Sequence, residues 1–251
     1  WVRYLIDEYL EVYYVARYGR PFDEKLEGNP YNAEDIQIPS PPLLRTADGA
    51  GFINTGKGEE EVVRRIPLVY SYRNRLFPCL DLLVMLHHYG STYEECNVRF
   101  GEAIEFPIHR NGEGVKRIPI NIRGEFLVNF RQGEDYIARA GNHTLSFYIH
   151  PQYAAQRAQE DIAAYLRDAI VLVGETAQGS SDVHPIPLQP LFPLVGVHAN
   201  VFDNILKDDY IRLAPLWLEA LLVFAVGGLV GLGFAKHPSG RATRIAAGIV
   251  I

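Results

Sequence analysis

Residues 169–206 read AIVLVGETAQGSSDVHPIPLQPLFPLVGVHANVFDNIL. The β-branched run Ile170–Val173 stops at Gly174. A short apolar run bounded by turn residues predicts a buried strand. A small-residue loop carrying Asp182 follows, then a Pro-rich segment that begins beside His184. After an apolar turn at Val195–Val197 comes the polar set His198, Asn200, Asp203 and Asn204. Ten residues further on, Leu216–Ala235 reads LWLEALLVFAVGGLVGLGFA, with Glu219 as its one charge. At about 1.5 Å rise per residue it matches the roughly 30 Å hydrocarbon core of a bilayer. The most patterned polar stretch of the chain therefore stands directly before a predicted membrane helix.

The flanks of that helix give its direction. Asp208, Asp209 and a lone Arg212 precede it, and Lys236, His237, Arg241 and Arg244 follow. Positive residues stay on the cytoplasmic side. Residues 1–213 are thus predicted to lie outside the cytoplasm, 214–235 to span the membrane, 236–244 to form a short cytoplasmic loop, and 245–251 to begin a second span. Gly227, Gly228, Gly231 and Gly233 leave a small-residue face suited to close helix packing, hence to a dimer. Trp1 and the abrupt apolar end at Ile251 predict a fragment of a longer chain, so the lack of a visible signal peptide carries no information.

Upstream, 152–168 (QYAAQRAQEDIAAYLRD) predicts a helix. With the Ile170–Val173 strand and its Gly turn it suggests an α/β domain with a mixed sheet. Residues 98–131 alternate and carry the hairpin turn RNGEG at 110–114, so they predict antiparallel strands. Residues 76–90 predict a helix with Pro78 in its first turn and Gly90 at its end. His87 and His88, near the end of that helix, would interact favourably with its C-terminus when protonated. Residues 51–72 predict two strands around TGKGEE, with Arg64 and Arg65 on opposite faces. Residues 19–50, rich in Gly and Pro and containing PSPP, predict a long connector. Residues 1–18 carry an amphipathic helical pattern.

Composition excludes several function classes. A net charge of −6 without a Lys/Arg run excludes a nucleic-acid binder, which needs clustered positive charge against phosphate. GETAQGSS (174–181) has Ser180 where a phosphate loop requires Lys, and no such pattern surrounds Lys57. Neither GxSxG nor HExxH occurs, so a membrane-anchored hydrolase is disfavoured. No cofactor is expected. Cys79 and Cys96 are too few for a disulfide framework; one bridge, or two small buried residues, are the two readings.

Five segments carry a family resemblance: GFIN (51–54), VVRRIPL (62–68), FPCLDL (77–82), IPIN-x-RGEFLVNF (118–130) and the long run 170–206. Together with the following apolar helix, the chain resembles the CHASE2 family, extracytoplasmic sensory domains of bacterial transmembrane receptors. Two positions depart from the pattern: Asn121 stands where the family often has Asp, and Gln132 where it often has Gly. The N-terminal part of such a domain is expected to be missing here. The resemblance implies a non-catalytic sensor, followed by membrane helices and a cytoplasmic output such as an adenylate or guanylate cyclase or a kinase. No output lies in these residues. The implied site is a cell-membrane one, with residues 1–213 periplasmic or extracellular, and the implied partners are a second copy and a small-molecule or protein ligand.

The candidate ligand site is Asp182, His184, His198 and Asn200, with Asn54 and Arg64 or Arg65 opposite, converging at the C-terminal edge of the Ile170–Val173 strand. The competing reading is structural: Asp182 caps a turn, and His198 or Asn200 ties the loop to its own backbone. A metal site from Asp182, His184 and His198 is a weaker alternative, since D-x-H puts two ligands on one extended face. An assembly ectodomain that pairs with other extracytoplasmic proteins is the rival function.

Overall fold

The structure, a computed structural model, describes residues 17–21, 28–34, 36–37, 39–55, 62–131, 152, 167, 169–176 and 182–236, the side chains of 41, 44, 45, 216 and 233–236 aside. The predicted helices at 1–18 and 152–168, the turn TGKGEE at 55–60 and the second span at 245–251 lie wholly or almost wholly outside the described residues.

The elements run β1 (Arg20–Pro21), α1 (Pro41–Thr46), β2 (Arg65–Pro67), β3 (Val69–Tyr72), β4 (Arg75–Pro78), α2 (Leu80–Tyr89), β5 (Asn97–Arg99), β6 (Ala103–Pro107), β7 (Val115–Pro119), β8 (Glu125–Leu127), β9 (Val183–Ile186), β10 (Gln189–Pro193), α3 (Leu194–Lys207) and α4 (Leu216–Lys236). The strands form four small sheets, β1-β4-β3, β5-β6-β7, β2-β8 and β9-β10. Every named strand pair is antiparallel. The class is mixed α and β, as the sequence suggests, but the described strands form small meanders and not one mixed sheet.

Most of the predicted antiparallel strands within 98–131 are present. The RNGEG turn joins β6 to β7, and Asn111, Gly112 and Gly114 take the positive φ that such a turn needs (59°, 154° and 92°). The same turn closes α2 from outside. Arg110 donates to the carbonyls of His87 and His88, and Asn111 donates to that of His88 at 2.8 Å. These bonds help satisfy the helix end. Burial, with Arg110 and Lys116 nearby, holds the His88 pKa below its ordinary value. Gly90 ends the helix in the left-handed conformation, with φ 73° and ψ 18°.

The helix predicted at 76–90 starts later, at Leu80. Residues 75–78 are a strand paired with β3, Val69 lying opposite Pro78. Cys79 is the N-cap, its sulfur accepting from Leu82 N at 3.3 Å. PSPP begins a helix instead of extending a connector, because Pro41 at its start already has helical φ and needs no donor. The Pro-rich run before α3 is the hairpin β9–β10, with His184 opposite Phe192 and an irregular register between Gln189 and Phe192. A two-stranded ribbon tolerates such prolines because its outer edges need no ladder bonds.

The expected strand Ile170–Val173 is not formed. Val171 and Val173 are 57% and 71% exposed. An apolar run becomes a strand only with a ladder partner, and none pairs with it among the described residues. Leu172 alone packs against the core, and Gly174 lies so close to Val195 that a Cβ would stand 2.6 Å from the Val195 Cβ. Without that strand, the described residues offer no C-terminal sheet edge for a ligand.

The core joins the faces of α2 and α3 to β2–β8 and the hairpin. Leu76, Leu82, Met85, Ile104, Phe106, Ile118, Phe126, Val197, Val201 and Ile205 are all buried. Full burial of each such side chain contributes about 1.5–3 kcal/mol.

The chain divides into two units, Trp1–Tyr210 and Ile211–Ile251. In the second unit, α4 follows Pro215, whose carbonyl accepts from Leu218 N and Glu219 N. Its Leu221, Leu222, Val223, Phe224, Val226, Leu229 and Leu232 are exposed. Described side chains of α4 run from 217 to 232, and among the described residues no helix is long and apolar enough to cross a membrane.

Candidate functional site

His198, in the second turn of α3, meets Asp81, in the first turn of α2. Its Nδ1 stands 3.0 Å from Asp81 Oδ1 and 2.8 Å from Oδ2. The Asp81 side chain is 1% exposed and that of His198 14%. The GFIN segment lies beside them, held to the start of α2 by Phe52 N to the Pro78 carbonyl at 3.2 Å and by Leu80 N to the Phe52 carbonyl at 2.8 Å. The backbone of Ile53 also bonds the imidazole. Burial pulls the His198 pKa down, but the hydrogen bond and charge of Asp81, with the Ile53 bond, outweigh it, and the net shift is upward. The arrangement can hold a proton between two helices and the GFIN segment. Burial raises the nearby Cys79 thiol well above its ordinary range, which disfavours it as a nucleophile.

Asp81 was not among the residues singled out in the sequence. Helix propensity hides it, because an acidic residue in a first turn is ordinary and explains itself through the helix dipole.

The structure brings only part of the expected ligand set together. Asn54 adjoins the Ile53 contact; its carbonyl accepts from Tyr70 OH at 3.1 Å. Asp182 is exposed, and its carbonyl accepts from Leu194 N at 2.8 Å, tying the base of the hairpin to the start of α3. The VVRR segment does lie against this hairpin, Val63 N donating to the Pro185 carbonyl at 2.8 Å. Arg64 is exposed and Arg65 half-buried, in keeping with alternate faces. His198, however, is engaged by Asp81. Among the described residues no group of three or more His, Cys, Asp or Glu could hold a metal ion, so Asp182, His184 and His198 do not assemble a metal site.

Asn200 ties α3 to the segment after β8. It is fully buried; its Oδ1 accepts from Arg131 N at 2.9 Å and its Nδ2 donates to the Gly196 carbonyl at 2.8 Å. One turn on, the buried Asn204 grips Asn129 at both backbone groups, accepting from its N–H at 2.8 Å and donating to its carbonyl at 3.0 Å. The two amides replace the ladder that segment 129–131 would otherwise lack. Their i, i+4 spacing puts them on one helix face. That spacing was the available sequence signal, but two polar residues on the buried face broke the apolar pattern of α3 and concealed the helix.

Asn121 has a similar role. Its Oδ1 accepts from Arg123 N and Glu125 N, each at 2.9 Å, and its Nδ2 donates to Glu125 Oε2 at 2.6 Å. Glu125 in turn accepts from Tyr31 OH at 2.9 Å. An Asp at 121 would lack the donor and set a second carboxylate beside Glu125.

Cys79 and Cys96 are both buried and free. Burial raises the Cys96 thiol to about 12, against a partial lowering by Arg20.

The family model described as the CHASE2 domain matches residues 8–232. No curated protein and no solved structure matches the chain.

Proposed function

The chain belongs to the CHASE2 family, an extracytoplasmic sensory domain family, and on that premise we propose that it is the sensory ectodomain of a bacterial membrane receptor. Residues 1–213 face the periplasm or the extracellular space. The helix 216–235 crosses the cell membrane, and a second copy pairs with it along Gly227, Gly228, Gly231 and Gly233. Binding of a small molecule or protein outside shifts a conformational equilibrium, which the membrane helices report to a cytoplasmic cyclase or kinase domain encoded beyond Ile251.

The observation that carries this reading is α4. Its backbone runs 21 residues, about 31 Å at 1.5 Å per residue, and its described apolar side chains stand exposed around the helix. A helix apolar on all sides is stable only when buried or in lipid. Glu219 sits in the first turn, where it reaches the headgroup level.

The test is fractionation of bacteria expressing the chain. Retention in the membrane pellet after alkaline carbonate washing, with flotation on a lipid gradient, is expected. Recovery in the soluble fraction would overturn the reading. Sequencing the gene past Ile251 tests the relay: a cyclase or kinase domain after further spans supports it, and a stop codon directly after the helices removes it.

A further inference from the structure

We infer that Lys116 and Arg131 clamp Asp208, Asp209 and Tyr210, the last residues of the first unit, and that this clamp opens separately from the rest of the domain. The inference rests on the receptor reading above.

Asp208 is the C-cap of α3 and takes the left-handed conformation, with φ 54° and ψ 32°. Glycine is the usual residue there, because a side chain strains that backbone. An aspartate in its place points to a use for the carboxylate. That use is visible: Lys116 Nζ lies 2.8 Å from Asp208 Oδ1, and Tyr210 OH donates to the same oxygen at 3.0 Å.

Lys116 comes from β7, and its side chain is 6% exposed while that of Asp208 is 62% exposed. Its ammonium also lies 5.2 Å from the centre of the Tyr89 ring. A buried ammonium is costly without its counter-charge. The partner, by contrast, is solvated and can leave into water. This asymmetry lets Asp208 leave without unpacking β7.

Asp209 is held from a second direction. It pairs with Arg131, accepts from Asn129 Nδ2 at 3.1 Å, and its backbone N–H donates to the Asn204 carbonyl at 2.9 Å. Asn129 and Arg131 are themselves pinned to α3 by Asn204 and Asn200. Tyr210 packs edge-on to Phe126, ring centres 5.9 Å apart. Three parts of the domain, β7, the segment after β8 and α3, thus converge on residues 208–210. Beyond them, 211–215 has no regular structure, and Ile211 and Leu213 are exposed. A displacement of α3 against β7 therefore acts first on the clamp.

The test is limited trypsin digestion of the full chain in lipid nanodiscs, with cleavage mapped by mass spectrometry. Arg212 lies just past the clamp, and Arg117, in β7, reports opening of the whole domain. Asp209→Asn and Lys116→Met are each expected to raise cleavage at Arg212 about tenfold, since cleavage tracks the population of the opened segment, while cleavage at Arg117 stays unchanged. Unchanged cleavage at Arg212 in both single variants overturns the clamp, as does a parallel rise at Arg117. Lipid flotation of the same preparations separates the two readings: a floating chain with unchanged Arg212 cleavage loses the clamp and keeps the span, and a chain that does not float but shows the change loses the span and keeps the clamp.

Discussion

His198 and Asp81 are 117 residues apart in sequence and share the contact that joins α3 to the start of α2, at 2.8 Å and 3.0 Å. With Asp81 at 1% side-chain exposure, removing the histidine leaves a buried carboxylate without its charge partner. His198→Ala is expected to cost about 3 kcal/mol of stability, the lower end for breaking a buried pair. Urea denaturation of the parent and variant measures it.

The same pair sets a pH dependence. The folded state raises the His198 pKa, so folding binds the proton more tightly than the open chain does. The stabilisation is therefore fully present below about 6.5, the ordinary histidine value, and is lost as pH rises through the folded value. Denaturation midpoints measured from pH 5 to 9 are expected to fall over that window in the parent. In Asp81→Asn, without the carboxylate, the fall is expected to be smaller; an equal fall would assign the titration to another group.

Asn200 and Asn204 hold segment 129–131 by their amides. Asn204→Ala leaves both backbone groups of Asn129 without that partner and is expected to cost about 2–3 kcal/mol, with Asn200→Ala costing about 1–3 kcal/mol. Because both grip one segment, the double variant is expected to cost less than the sum of the two. A double-mutant cycle in denaturant measures the coupling.

These asparagines also show what the sequence could and could not reveal. The RNGEG hairpin, most of the strands between 98 and 131 and the Gly90 helix end were legible, because turn residues at fixed offsets state their geometry locally. Ile170–Val173 misled for the opposite reason: its composition suits a strand, but a strand exists only with a partner elsewhere in the chain. Helix α3 was missed because Asn200 and Asn204 occupy its buried face, and the hairpin β9–β10 because its prolines argue against a sheet interior. Of the candidate site, His198 was legible as a polar residue in a patterned stretch. Its partner Asp81 was not, since nothing local distinguishes it from any acidic residue opening a helix.

Gly124 has φ 76° and lies where a Cβ would meet Val69 Cγ2 at 2.7 Å and Phe100 Cε1 at 3.1 Å. Its N–H donates to the Asn121 carbonyl and its carbonyl accepts from Leu68 N, so it cannot move freely. Gly124→Ala combines left-handed strain with overpacking and is expected to cost about 2–4 kcal/mol. Thermal unfolding monitored by circular dichroism checks it.

Both cysteine thiols are held up by burial, Cys96 to about 12 and Cys79 well above its ordinary range. In the native protein neither is expected to react with a thiol reagent on the minute scale, and in denaturant two are expected to be counted. A count of zero in denaturant without reductant would show a bridge instead.

The most direct test of the receptor account is the sidedness of the last helix. Leu213→Cys and Lys236→Cys, made separately, are treated with a membrane-impermeant maleimide in bacterial cells whose outer barrier is opened and whose inner membrane is intact. The expected result is labelling at 213, and labelling at 236 only after the inner membrane is permeabilised. Equal labelling of both positions before permeabilisation would contradict a helix that crosses the membrane.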